Sequence, residues 1–182
     1  MQRRRVNTLA PRSGEREGPG AQRREGEGRA GAGDEQLDRG PVIIVHSLTH
    51  AVAALSAAAD AGRSITLLSA PDAGIYAGPG WWREMIAAAR AAMPAAQCNA
   101  VLDCGNNAGA AQAAIRAGIE AILFTGRADV TERLADIAAQ RGVRLLTKRP
   151  EAALDLATVF FASPEILRQC CTESLASSAV FC

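Results

Sequence analysis

Five short aliphatic runs, separated by stretches rich in alanine, restrict this chain to one kind of architecture. The runs are Val42–Val45, Ile65–Leu68, Ala100–Leu102, Ala121–Phe124 and Val143–Leu146. They are continuous rather than alternating, which is the pattern of strands buried on both faces. Between them lie four helical stretches. Leu48–Ala61 stops at Gly62, Trp81–Met93 ends at Pro94, Ala108–Ala117 stops at Gly118, and Asp129–Gln140 stops at Gly142. Strands separated by helices run parallel, because each crossover returns the chain to the same end of the sheet. Five strands are too few to close an eight-stranded barrel. The expectation is an α/β fold: an open, doubly wound five-stranded parallel sheet in the flavodoxin-like order 2-1-3-4-5, spanning residues 41–156.

Alanine forms helices well but buries little area. The core must therefore lean on strand Ile, Val and Leu, with Trp81, Trp82, Phe124 and Ile137 supplying bulk. This predicts modest stability and self-association through an Ala-rich helix face, giving a homo-oligomer.

Residues 1–40 are of another kind: rich in Arg, Glu and Gly, without an aromatic residue. They cannot bury enough apolar surface to offset chain entropy and read as a disordered tail. Glu15, Glu17, Glu25 and Glu27 interleave with the arginines and cancel most of the attraction a nucleic acid would feel. The acids also depart from a transit peptide, and no apolar stretch follows Arg3-Arg4-Arg5 as a secretory signal requires. The break in composition suggests a start near Pro41-Val42, which peptides from Ala10–Gly33 in native protein would refute. At the other end, residues 157–182 form an extension in which Ser163-Pro164-Glu165 signals a short helix over Pro164–Cys171.

In 182 residues, 20 Lys and Arg face 19 Asp and Glu, a net charge of +1. Such balance disfavours a nucleic-acid partner. The apolar runs are far shorter than the roughly 20 residues that cross a bilayer, so no membrane role is expected. The five cysteines contain no CxxC, and Cys98 and Cys104 flank one strand too far apart to bond. Reduced thiols and a cytoplasmic setting follow.

Ligands of parallel sheets bind beyond the C-terminal ends of the strands. Those ends read His46-Ser47, Ser69 with Asp72, Asp103-Cys104, Thr125-Gly126-Arg127 and Thr147-Lys148-Arg149. Lys148 is the only lysine in the chain and could hold an anion or, if desolvated, form a Schiff base. Asp103, Lys148 and His46 are the candidate catalytic residues. Ser47, Asp72, Cys104, Thr125, Gly126 and Arg127 are the candidate ligand contacts. His46 and His50 are spaced to share a helix face, but Glu is missing between them, so the zinc-protease pattern is not met and no metal is expected. Cys104 is a candidate nucleophile if its pKa is lowered. The loop Pro71–Gly80, with Tyr76 and the tryptophans, could wall a flat ligand. No cofactor is indicated.

The stretch Ala121-Ile122-Leu123-Phe124-Thr125-Gly126-Arg127-Ala128-Asp129, with Leu145-Leu146-Thr147-Lys148-Arg149-Pro150 beyond it, resembles the second half of a response-regulator receiver domain. The resemblance implies a flavodoxin-like fold, with Asp103 as phosphoacceptor, Thr125 as sensor and Lys148 beside the phosphoryl group. The sequence departs from the family where His46-Ser47 replace the paired acids that hold Mg²⁺, and where Cys104-Gly105-Asn106-Asn107 replaces Met-Pro. The implied object is a degenerate receiver without a complete phosphoacceptor site. The leading expectation is a small cytoplasmic binding or regulatory module engaging a protein partner or a small anionic ligand. The alternative is a small-molecule enzyme acting on an anionic or carbonyl substrate through Lys148, Asp103 and His46. Similar short βα units also recur in small aldolase-like barrels.

Overall fold

Each aliphatic run becomes a strand, and each Ala-rich stretch a helix. The structure, a computed structural model, describes residues 40–177. In chain order the elements are β1 (Val42–Val45), α1 (Leu48–Asp60), β2 (Ile65–Ser69), α2 (Ala73–Tyr76), α3 (Gly78–Ala92), β3 (Cys98–Asp103), α4 (Ala108–Arg116), β4 (Ala121–Leu123), α5 (Ala128–Gln140), β5 (Arg144–Leu146), β6 (Leu154–Asp155), a 3₁₀ turn (Leu156–Val159) and α6 (Pro164–Ser177). All strand pairs are parallel.

The strand order is β5-β4-β3-β2-β1-β6, in six strands. This corrects the expected flavodoxin-like order 2-1-3-4-5. From β1 to β5 each strand steps one place the same way, and β6 alone lies on the other side of β1. Right-handed crossovers then put every helix on one face. The core bears this out, for α1, α3, α4, α5 and α6 all contribute to one cluster together with Ile43, Val45, Ile65, Leu67, Ala100, Leu102 and Ile122. The sheet is therefore not doubly wound. Its arrangement is that of consecutive βα units in a barrel wall.

The other face holds a second cluster: Val42, Ile44, Leu68, Val101, Ala121, Leu123 and Leu146, with Ala152 packed on it. Ala152 belongs to the connection Thr147–Ala153, which joins β5 to β6 at opposite ends of the strand order. A flat sheet would span about 24 Å over five gaps, while the connection reaches about 26 Å at ~3.3 Å per residue. The connection is thus a strap with little slack. On this face, which carries no helix among the described residues, Leu68, Val101 and Leu123 are fully buried.

Two parts of the expected core differ. The loop Pro71–Gly80 contains α2 and the start of α3, because Gly78 and Pro79 open that helix early. The longer helix buries Trp82, Met85, Ile86 and Ala89 and leaves Trp81 at its edge, 39% exposed. Ile137 is likewise 39% exposed. In their place α6 carries Leu167, Cys171 and Leu175 into the core. Residues 1–39, expected to be a tail, lie outside the described residues.

Candidate functional site

Asp103 ends β3 on the strap face and is 4% exposed. Its carboxylate accepts from the Gly105 N–H at 2.7 Å and the Asp72 N–H at 3.3 Å, and it pairs with the Arg149 guanidinium. Its own N–H donates to Ser69 Oγ at 2.8 Å, and Arg149 also donates to the Ser69 carbonyl at 3.4 Å. One buried carboxylate thereby ties the β2–α2 turn, the β3–α4 turn and the strap. The turns are built for this contact. Asp72 sits in the left-handed region at φ 59°, and a Cβ on Gly105 would lie 1.8 Å from Asp72 Oδ1, so only glycine fits there. The Tyr76 hydroxyl above them is held above its ordinary pKa, by burial first and then by the charges of Asp103 and Asp72.

His46 follows β1, and its Nε2 lies 2.7 Å from Asp155 Oδ1 at the end of β6. The register Ile44↔Asp155 brings them together. Burial works to raise the Asp155 pKa, but the Ala157 N–H, the His46 bond and the charges of His46 and Arg149 outweigh it and hold the carboxyl below its usual range. Arg149 is thus the electrostatic link between the His46–Asp155 and Arg149–Asp103 couples. An ionised Asp155 takes the Nε2–H of His46, and among the described residues Nδ1 of that ring has no partner.

His50 is fully buried. Its Nδ1 accepts from the His46 N–H at 3.4 Å, so its Nε2 carries the proton donated to the Phe160 carbonyl at 3.1 Å. Burial lowers its pKa and keeps it neutral, and its ring packs edge-on against Phe160 at 5.1 Å. Both nitrogens are thus engaged, leaving no lone pair for a metal. Among the described residues no group of three metal-ligating side chains occurs.

The remaining candidates stand apart from this cluster. Ser47 caps α1, accepting from the His50 N–H at 3.2 Å. Thr125 is exposed, with its N–H donated to the Gly105 carbonyl at 2.8 Å. Gly126 lies where a Cβ would come within 2.3 Å of the Phe124 ring. Arg127 pairs with Asp129 at 2.7 Å in solvent. Cys104 is fully buried, and burial, then the charge of Asp103, pushes its thiol up to about 12, the reverse of an activated nucleophile. Lys148 is exposed and makes no hydrogen bond or ion pair among the described residues; its neighbour Arg149 takes Asp103 instead. The burial a Schiff-base lysine needs is absent.

Sequence reasoning missed Arg149 and Asp155. Arg149 adjoins Lys148 at the same strand end, and residue type alone does not say which cation reaches Asp103. Asp155 ends a strand of two residues, too short to leave a periodic signal.

No protein-family model and no curated protein matches the chain. Among solved structures it is similar to one assigned as a fructose-1,6-biphosphate aldolase from Coccidioides immitis, with a TM-score of 0.50 and 22% sequence identity. The match covers 59% of this chain and 40% of that one, so the likeness concerns fold alone. It agrees with an α/β fold of parallel strands flanked by helices. No helix among the described residues is long and apolar enough to cross a membrane.

Proposed function

We propose that the C-terminal edge of the sheet is a site for a small polar molecule bearing a carboxylate, phosphate or carbonyl, with His46 as its proton-handling group. The supporting observation is the His46–Asp155 hydrogen bond at 2.7 Å, joined through Arg149 to Asp103. An anchored carboxylate fixes the tautomer of the imidazole and leaves Nδ1 as the free lone pair of the ring. Arg149 supplies positive charge to the couple. Asp103 is a positioning residue here, since both its oxygens are taken by the turns and the strap. The cysteines among the described residues are free, which supports a reducing, cytoplasmic setting.

A thermal-shift panel of phosphorylated and carboxylated metabolites tests this. A true ligand raises Tm in proportion to its occupancy, and His46→Ala removes the shift without unfolding the chain. A panel without any shift, or a shift unchanged in His46→Ala and Lys148→Ala, refutes the reading.

One observation favours a second reading, the regulatory module. Asp103, Thr125 and Lys148 follow β3, β4 and β5, three adjacent strands, as in a receiver. The strand order around β1 and the engagement of both Asp103 oxygens by Arg149, Asp72 and Gly105 weigh against it. Incubation with a small phosphodonor and Mg²⁺ decides: a stoichiometric mass increase on Asp103 would restore it.

A further inference from the structure

At the opposite end of the sheet, the strap face carries a polar layer that nothing above uses. Thr66 is fully buried, and its hydroxyl has no hydrogen-bond partner among the described residues. It shares a face with Leu68, one turn of the pleat along the strand. Its register partner on β3 is Asn99, two residues before Val101 on that same face. Asn99 Oδ1 accepts from Arg144 Nη2 at 3.0 Å, and Arg144 lies two residues before Leu146. Arg144 is half-buried and makes no ion pair among the described residues.

These three groups share a bias. The Arg144 bond consumes the acceptor of Asn99 and leaves its amide N–H groups to donate. The Thr66 hydroxyl can donate, and the guanidinium keeps further N–H groups with its charge unbalanced. Buried hydroxyls are almost always bonded, and one left bare forfeits its hydration without replacement. A positive charge beside neutral donors on one face, with no ion-pair partner among the described residues, is the composition of an anion site.

We propose that Thr66, Asn99 and Arg144 bind one small monovalent anion, a halide or a carboxylate such as formate, at the N-terminal end of the strap face. The site is separate from the C-terminal edge and does not depend on its role. The anion takes the Thr66 O–H, an Asn99 N–H and the Arg144 guanidinium as donors, and balances the arginine's charge. A dianion is disfavoured, because only one cation faces the site.

Chloride is the probe. The full chain is titrated with sodium chloride while sodium gluconate holds ionic strength constant, and the ³⁵Cl NMR linewidth and Tm are followed. The expected result is saturable line broadening with a parallel rise in Tm. Formate should displace the broadening if carboxylates share the site, and leave it if only halides fit. Thr66→Val and Arg144→Gln should each weaken binding by about tenfold or more, near 1.4 kcal/mol, while Thr66→Ser and His46→Ala retain it. Circular dichroism of each variant separates lost binding from lost fold; if Thr66→Val fails to fold, Arg144→Gln and Thr66→Ser carry the comparison. Broadening no greater in the parent than in Arg144→Gln overturns the proposal. So does a Thr66→Val that is simply more stable at every chloride concentration, since the hydroxyl then holds water or nothing.

Discussion

Arg149 on the strap donates to the carboxylate of Asp103, a residue 46 positions earlier that has almost no contact with solvent. The pair pins a crossing segment to the ends of β2 and β3. Removing the cation leaves a desolvated carboxylate with only two backbone donors. Since Arg149 itself is 30% exposed at its side chain, water can repay part of the loss, and Arg149→Met should cost about 1–3 kcal/mol rather than the larger value of a fully buried pair. The double variant Asp103→Asn/Arg149→Met should recover part of that. Urea denaturation of the single and double variants measures both, and equal losses in the two would show that the pair carries no such coupling.

His50 makes stability depend on pH. Its folded pKa lies below the ordinary histidine value of 6.5, chiefly because burial disfavours the charged ring. Protons therefore bind the unfolded chain first. The contribution is whole above about 6.5 and declines as pH falls through that value toward the folded pKa. Denaturation midpoints taken from pH 8 to 5 should fall in this window, and His50→Leu should flatten the slope even though it loses the bond to Phe160. A parent chain with a level profile over that range would contradict the burial of the ring.

The thiols should separate by reactivity. Cys104 and Cys171 are buried, and burial is the largest cause of their thiols being pushed up to about 12. Cys98 and Cys170 are partly exposed. Brief alkylation of native protein with iodoacetamide, followed by peptide mass spectrometry, should label the exposed pair first. Labelling of Cys104 at the rate of Cys98 would mean that the β3–α4 turn opens readily.

Gly105 is at φ 54°, with Asp72 Oδ1 filling the space a Cβ would take. Gly105→Ala must push the Asp72 carboxylate aside as well as strain the backbone. A loss of about 1–3 kcal/mol in urea is expected, whereas Gly109→Ala, at an exposed helical site, should cause none. If the two variants proved equal, the packing of the turns would not be as tight as these contacts require.

Much of the sheet is legible because β-branched and aliphatic runs between Gly-terminated helices have few other ways to hide their surface. The order of the strands was not, since both faces are buried and a continuous apolar run looks the same in either winding. A cue did exist. Thr66, Asn99, Asp103 and Arg144 all fall on one face of their strands, while Ile65, Leu67, Ala100 and Leu102 line the other. Uniform aliphatic character on one side and polar layers on the other mark a sheet with helices on a single face. At the site, proximity between His46 and Asp155 depends on a strand of two residues, where pairing with β1 supplies the order that local propensity cannot. Lys148 and Arg149 are chemically alike in the sequence, and only the path of the strap decides which one reaches Asp103.

Because so short a tether joins the first and last ribbons of the array, the two outermost strands cannot splay freely from the body. Ribbons with unpaired backbone are templates for runaway stacking between molecules. Here each is very short, and the tether between them has little slack. A single proteolytic cut between Lys148 and Ala153 would release that restraint, and the nicked chain should aggregate where the intact one stays dispersed.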